Sequence, residues 1–129
     1  MALNILVVDD SETVRNIIRK TLGLAQLPVG ELYTAANGQE ALDILRANWV
    51  DLVLCDINMP VMTGVEMIER MSEDEELKAV PVIVISTEGS TTRIEELKTK
   101  GVSAYIRKPF TPEQVREVVE QVLGEQHAD

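Results

Sequence analysis

Four apolar runs of this chain end on residues that could do chemistry together. Asp9 and Asp10 follow "ILVV", Asp56 follows "VLC", Ser86 follows "VIVI" and Lys108 follows "AYIR". Each has a plainer reading by itself. Asp9 with Glu12 could cap a helix. Asp56 could fix the turn before Pro60. Ser86 could cap the next helix, and Lys108 could be an ordinary solvated lysine. As a set they are three carboxylates, a hydroxyl and an ammonium, which is what phosphoryl transfer to a carboxylate requires. One carboxylate is the nucleophile, the others hold a cation, and the donors neutralise the phosphoryl oxygens.

The set acts only if the fold gathers it. Five β-type runs, 4–8, 32–35, 52–55, 82–85 and 104–107, alternate with five helical patterns. The first, third and fourth runs are almost wholly apolar, as strands covered on both faces are. The second and fifth mix polar with apolar residues and suit edges. Right-handed crossovers then give an α/β fold, a doubly wound five-stranded parallel sheet of order 2-1-3-4-5 with helices on both faces. Functional groups in such folds gather beyond the carboxyl ends of the strands.

The helical stripes are Val14, Ile17, Ile18 and Leu22, then Ala41, Leu42 and Leu45. In the last helix Val115, Val118, Val119, Val122 and Leu123 form the stripe, behind a capping box of Thr111 and Gln114 with Pro112 at the first position. The fourth pattern, 91–101, is anchored only by Ile94 and Leu97 before Gly101 ends it, so it is a candidate for movement. The run "SEDEE" at 72–76 reads as a solvated loop.

Length and charge narrow the function. The 129 residues form one domain, 1–129, with a core of about 4–123. A formal charge of −10 argues against nucleic acid and for basic partners or a bound cation. No apolar run approaches the ~18–20 residues of a membrane span, and the start carries no secretion signal, so a cytoplasmic location is expected. Cys55, the one cysteine, reads as a buried core residue, and His127 as part of a frayed tail.

Adjacent strands lie ~4.8 Å apart, so Asp10 and Asp56 could share one cation, and Lys108 could cross most of the roughly 10 Å toward Asp56. Converging acids repel one another without a counter-ion; Mg²⁺ suits a few carboxylates, waters and a phosphate oxygen.

These stretches, "ILVVDDSETVR", "VLCDINMPVMTG", "VIVISTEG" and "AYIRKPF", together resemble the CheY-like receiver domain of two-component response regulators. The resemblance implies that Asp56 is phosphorylated by the phosphohistidine of a sensor histidine kinase. Asp10, Asp56 and the backbone carbonyl of Asn58 would ligate Mg²⁺, with Asp9 acting through a water. Ser86 and Lys108 would bind the phosphoryl group, and Tyr105 would be the aromatic switch that follows Ser86. The Lys108–Pro109 bond would be cis. Asn58, Thr87 and Glu88 would tune phosphate lifetime, with β-branched Thr87 slowing small donors.

The resemblance further implies a monomeric, stand-alone phosphoacceptor that is not a turnover enzyme. It would switch the surface formed by 91–101, the fifth strand and the last helix to bind a target such as a flagellar-motor switch protein in chemotaxis, with a phosphatase as a further partner. A phosphorelay shuttle to a histidine phosphotransfer protein is the alternative. A flavodoxin-like electron carrier shares the strand order, but "STEGST" follows the fourth strand rather than the first and only four aromatics exist to sandwich a flavin. An aspartate-nucleophile hydrolase would want D-x-D after the first strand, and a nicotinamide enzyme G-x-G-x-x-G. Met59, Met62, Met67 and Met71 read as packing residues. Trp49 lies before the third strand, roughly 20 Å from Asp56 by strand length, so its fluorescence should ignore Mg²⁺.

Overall fold

The computed structural model describes residues 2–56, 64–86, 95–96, 98–108 and 110–127. Five strands are present: β1 (Leu3–Val8), β2 (Val29–Ala35), β3 (Leu52–Cys55), β4 (Val82–Ser86) and β5 (Ala104–Arg107). They form one sheet of order β2-β1-β3-β4-β5, and every neighbouring pair is parallel. This is the doubly wound sheet expected. The helices with described bounds are α1 (Glu12–Leu24), α2 (Gly38–Ala47), α3 (Gly64–Ser72) and α4 (Pro112–His127), the last being the fifth helical pattern of the sequence.

Alternation along each strand divides the core in two. Leu6, Val8, Val53, Cys55, Val82 and Val84 face α2 and α3, with Ala41, Leu42, Leu45, Met67 and Met71 packed on them. Ile5, Val7, Leu52, Leu54, Ile83 and Ile85 face α1 and α4, packing with Ile18, Leu22, Val115, Val119 and Val122. Strands β3 and β4 are buried along their whole length, and β1 nearly so, whereas β2 and β5 keep exposed positions. Apolar runs marked the centre of the sheet because only a strand with helices on both faces can bury both sets of side chains.

Local signals fix the helix ends. Thr111 and Gln114 close the expected capping box: Gln114 N donates to Thr111 Oγ1 at 3.2 Å, and Thr111 N to Gln114 Oε1 at 2.9 Å. Ser11 caps α1, its Oγ accepting from Val14 N at 3.3 Å, so the cap is not the pair of Asp9 and Glu12. Asn37 caps α2, with Glu40 reaching back to Ala36 N, a box that the sequence pattern alone did not single out. Gly101 takes φ 108 after the helical residues 95–96 and 98–99, as a terminating glycine does. Ile94 and Leu97 lie outside the described residues.

One expectation needs correction. Ile17 is not a core residue: it is 52% exposed, because α1 turns Ile18 and Leu22 inward and leaves Ile17 outside the stripe. "SEDEE" is the solvated turn expected, except at its first residue. Ser72 belongs to α3, and Asp74 organises a turn by accepting from Glu76 N at 2.9 Å while Leu77 is buried beneath it.

Candidate functional site

The parallel register sets Val8 beside Cys55, so Asp9 and Asp56 leave neighbouring strands at the same level. Backbone bonds extend that alignment past the strand ends. Asp56 N donates to Val8 O at 2.9 Å, Asp9 N to Ala35 O at 3.0 Å and Lys108 N to Ser86 O at 2.9 Å. The sheet therefore holds the backbones of these loop residues as firmly as it holds its strands.

The three carboxylates converge. Asp9, Asp10 and Asp56 each offer an oxygen within 4.8 Å of the others. Asp9 is buried, Asp56 half-buried and Asp10 exposed. An all-oxygen set open to solvent on one side matches what a hard cation takes, leaving room for waters or a phosphate oxygen.

Asp9 is the best-supported member. One oxygen accepts from Ser11 N at 2.9 Å; the other lies 3.6 Å from Lys108 Nζ. Arg15 also donates to the Asp9 carbonyl. Lys108 thus crosses β4 and β3 to reach the acid at the end of β1, a pairing that strand order alone did not assign. The physical reason is burial: Asp9 has 2% of its surface exposed, and a charge so far out of water needs a counter-charge. Ser11 and Arg15 were missed as supports of the site. The cue was their spacing, a helix-capping serine two residues after Asp9 and a cation four further on.

Ser86 ends β4, buried, and pairs in register with Arg107; Val84 pairs with Tyr105. Ser86 and Tyr105 are therefore diagonal neighbours on adjacent strands. Tyr105 is half-buried and packs against the cluster facing α2 and α3. Cys55 is buried, and its Sγ donates to Asp56 O at 3.0 Å. Burial pushes its thiol up, the negative charges of Asp56 and Asp9 adding to the effect, so it stays protonated and inert. Asn58, Thr87, Glu88, Pro109, Met59 and Met62 lie outside the described residues, and with them the carbonyl ligand, the lifetime positions and the cis bond. Among the described residues no helix is long and apolar enough to cross a membrane.

A doubly wound sheet presenting acids at the ends of β1 and β3 and a lysine at the end of β5 defines the receiver class of fold. The comparisons agree. The family model of the response regulator receiver domain matches residues 5–120, and the chain belongs to that family. It is 39% identical over 123 residues to the chemotaxis protein CheY1 of Helicobacter pylori, covering 95% of this chain and 98% of that one. To the chemotaxis protein CheY of Pseudomonas aeruginosa it is 35% identical over 121 residues, 94% of this chain and 96% of that one. The solved structure of the chemotaxis response regulator CheY4 of Vibrio cholerae superposes with a TM-score of 0.83 at 34% identity, covering 95% and 99% of the two chains.

Proposed function

We propose that Asp56 is a phosphoacceptor and that the protein is a CheY-type response regulator. The observation that carries the reading is the convergence of Asp9, Asp10 and Asp56 within 4.8 Å, with Lys108 3.6 Å from Asp9. An Asp56 carboxylate oxygen attacks the phosphorus of a phosphohistidine or an acyl phosphate. The bond from phosphorus to the imidazole nitrogen, or to the carboxylate oxygen of the small donor, breaks. The leaving group departs with that electron pair, and an aspartyl phosphate remains.

Asp10 and Asp56 would hold Mg²⁺ through their side chains, with the Asn58 carbonyl as the further protein ligand the family resemblance implies and Asp9 acting through a water. The ion supplies positive charge against the phosphoryl oxygens. Lys108 supplies the protein's own positive charge there, and its contact with Asp9 keeps the ammonium at the rim. The Ser86 hydroxyl donates to a phosphoryl oxygen. Ser86 and Tyr105, already diagonal neighbours, would carry the change to the outer surface of β5 and α4 by biasing two arrangements of one ring.

The donor is a sensor histidine kinase and the output chemotactic, through a protein such as a flagellar-motor switch component. Similarity to CheY proteins over nearly their whole length supports this. A phosphorelay shuttle is the second reading. Incubation with acetyl phosphate and Mg²⁺ should add one phosphoryl group to the intact mass. A chelator or Asp56→Asn should prevent it. An unlabelled wild type that binds Mg²⁺ would refute the acceptor role unless Thr87→Ala restores labelling. Rapid transfer from the labelled protein to a histidine phosphotransfer domain would move the output to the second reading.

A further inference from the structure

The end of the sheet opposite the carboxylates carries a second concave feature. A groove of about 830 Å³ opens between the end of α2, the entry to β3 and the turn after α3. Leu45, Val50, Leu77, Val80 and Pro81 form its apolar wall. At its edge stands Trp49, 76% exposed, more than any other large apolar side chain among the described residues.

That indole is held in place. Trp49 Nε1 donates to Asp51 Oδ1 at 3.0 Å, and Asp51 Oδ2 accepts from Asn4 N at 2.8 Å. Asn4 Nδ2 closes the loop by donating to Trp49 O at 3.1 Å. A large apolar surface fixed in position while bare to solvent loses little further freedom when covered, as an anchor for a partner should.

The charge around the groove says what should cover it. The turn supplies Glu73, Asp74, Glu75 and Glu76, the last lining the groove. Arg46 also lines the groove, but it faces Asp74 at 4.0 Å, and Lys78 is engaged with Glu75 at 2.7 Å. Glu73, Glu76 and Asp51 remain without a cationic partner among the described residues. An anionic membrane or a nucleic acid would be repelled by such a rim.

We propose that this groove docks a basic amphipathic segment of a partner protein. Its apolar side chains would lie along Trp49, Ala79 and Val80, over a floor of buried Val50, Leu77 and Pro81, and its lysines or arginines would meet Glu76 in the groove and Glu73 on the turn beside it and stack on Trp49. The site is at the other end of the sheet from Asp56 and stands independently of the phosphoacceptor reading.

Trp49 is the sole tryptophan, so it reports directly. The probe is a synthetic amphipathic peptide of leucine and lysine, titrated at physiological ionic strength beside a version with glutamate for lysine. The lysine peptide should shift Trp49 emission to the blue and saturate, and the glutamate peptide should not. Glu73→Gln with Glu76→Gln should weaken binding about three- to tenfold, as loss of two screened ion pairs does. Trp49→Ala, followed by calorimetry, should weaken it by about thirtyfold, as loss of an interfacial tryptophan anchor does. Glu113→Gln with Glu117→Gln, on α4, should change nothing. No emission shift would overturn the proposal. So would equal weakening by the α4 pair, which would mean diffuse charge attraction, or Trp49-dependent self-association in sedimentation, which would make a second copy the occupant.

Discussion

The two ends of the sheet treat their acids in opposite ways. At the carboxyl end Asp9, Asp10 and Asp56 crowd within 4.8 Å, and Lys108 reaches across to Asp9. At the amino end Asp51 is woven into the backbone, bonded to Asn4 N and to the Trp49 indole. One arrangement concentrates charge at a rim open to solvent. The other uses charge to hold the fold. On the proposed function, similar side chains on one scaffold serve binding or stability according to what the strand ends place beside them, and function costs stability where acids are left to repel.

Substitutions at each end should separate the two roles. The largest effect is on labelling: Asp56→Asn should abolish uptake from acetyl phosphate, whereas Trp49→Ala should leave its rate unchanged, both read by intact mass. Next, Asp51→Ala should lower stability by about 1–3 kcal/mol in urea melts, since it removes two hydrogen bonds to a carboxylate and leaves Asn4 N without its acceptor. Asp10→Asn should act the other way, raising stability without Mg²⁺ by about 1 kcal/mol or less, the scale of two unit charges a few ångströms apart in a water-like medium. If it destabilises instead, the carboxyl end is not a site of stored repulsion. Smallest of all, saturating Mg²⁺ should leave Trp49 emission unchanged, and a large quench would mean that the two ends communicate.

The sequence showed the centre of the sheet better than its edges. Strands β1, β3 and β4 were legible because a short, unbroken apolar run bounded by turn residues suits a strand buried on both faces. The run at 32–35 caught only the end of β2, since 29–31 includes Gly30 and Glu31, which lack an apolar signature and lie where the pairing with β1 shifts register. That Asp9, Asp10, Asp56 and Lys108 gather at one end of the sheet was legible from their places after the strands. Which acid the lysine touches was not, because that depends on burial, and of the three acids only Asp9 is fully enclosed. The groove was invisible for a related reason. It is built from α2, β3 and the turn after α3, and the acidic run beside it looks in sequence like any solvated loop.

The most direct test of the central claim is to locate the phosphoryl group. Protein labelled by acetyl phosphate and Mg²⁺ would be reduced with borohydride, which converts an aspartyl phosphate to homoserine, then digested and sequenced by mass spectrometry. Homoserine at position 56 alone is the result predicted. Homoserine at position 9 or 10, or at none of the three, would contradict the assignment of Asp56 as the acceptor.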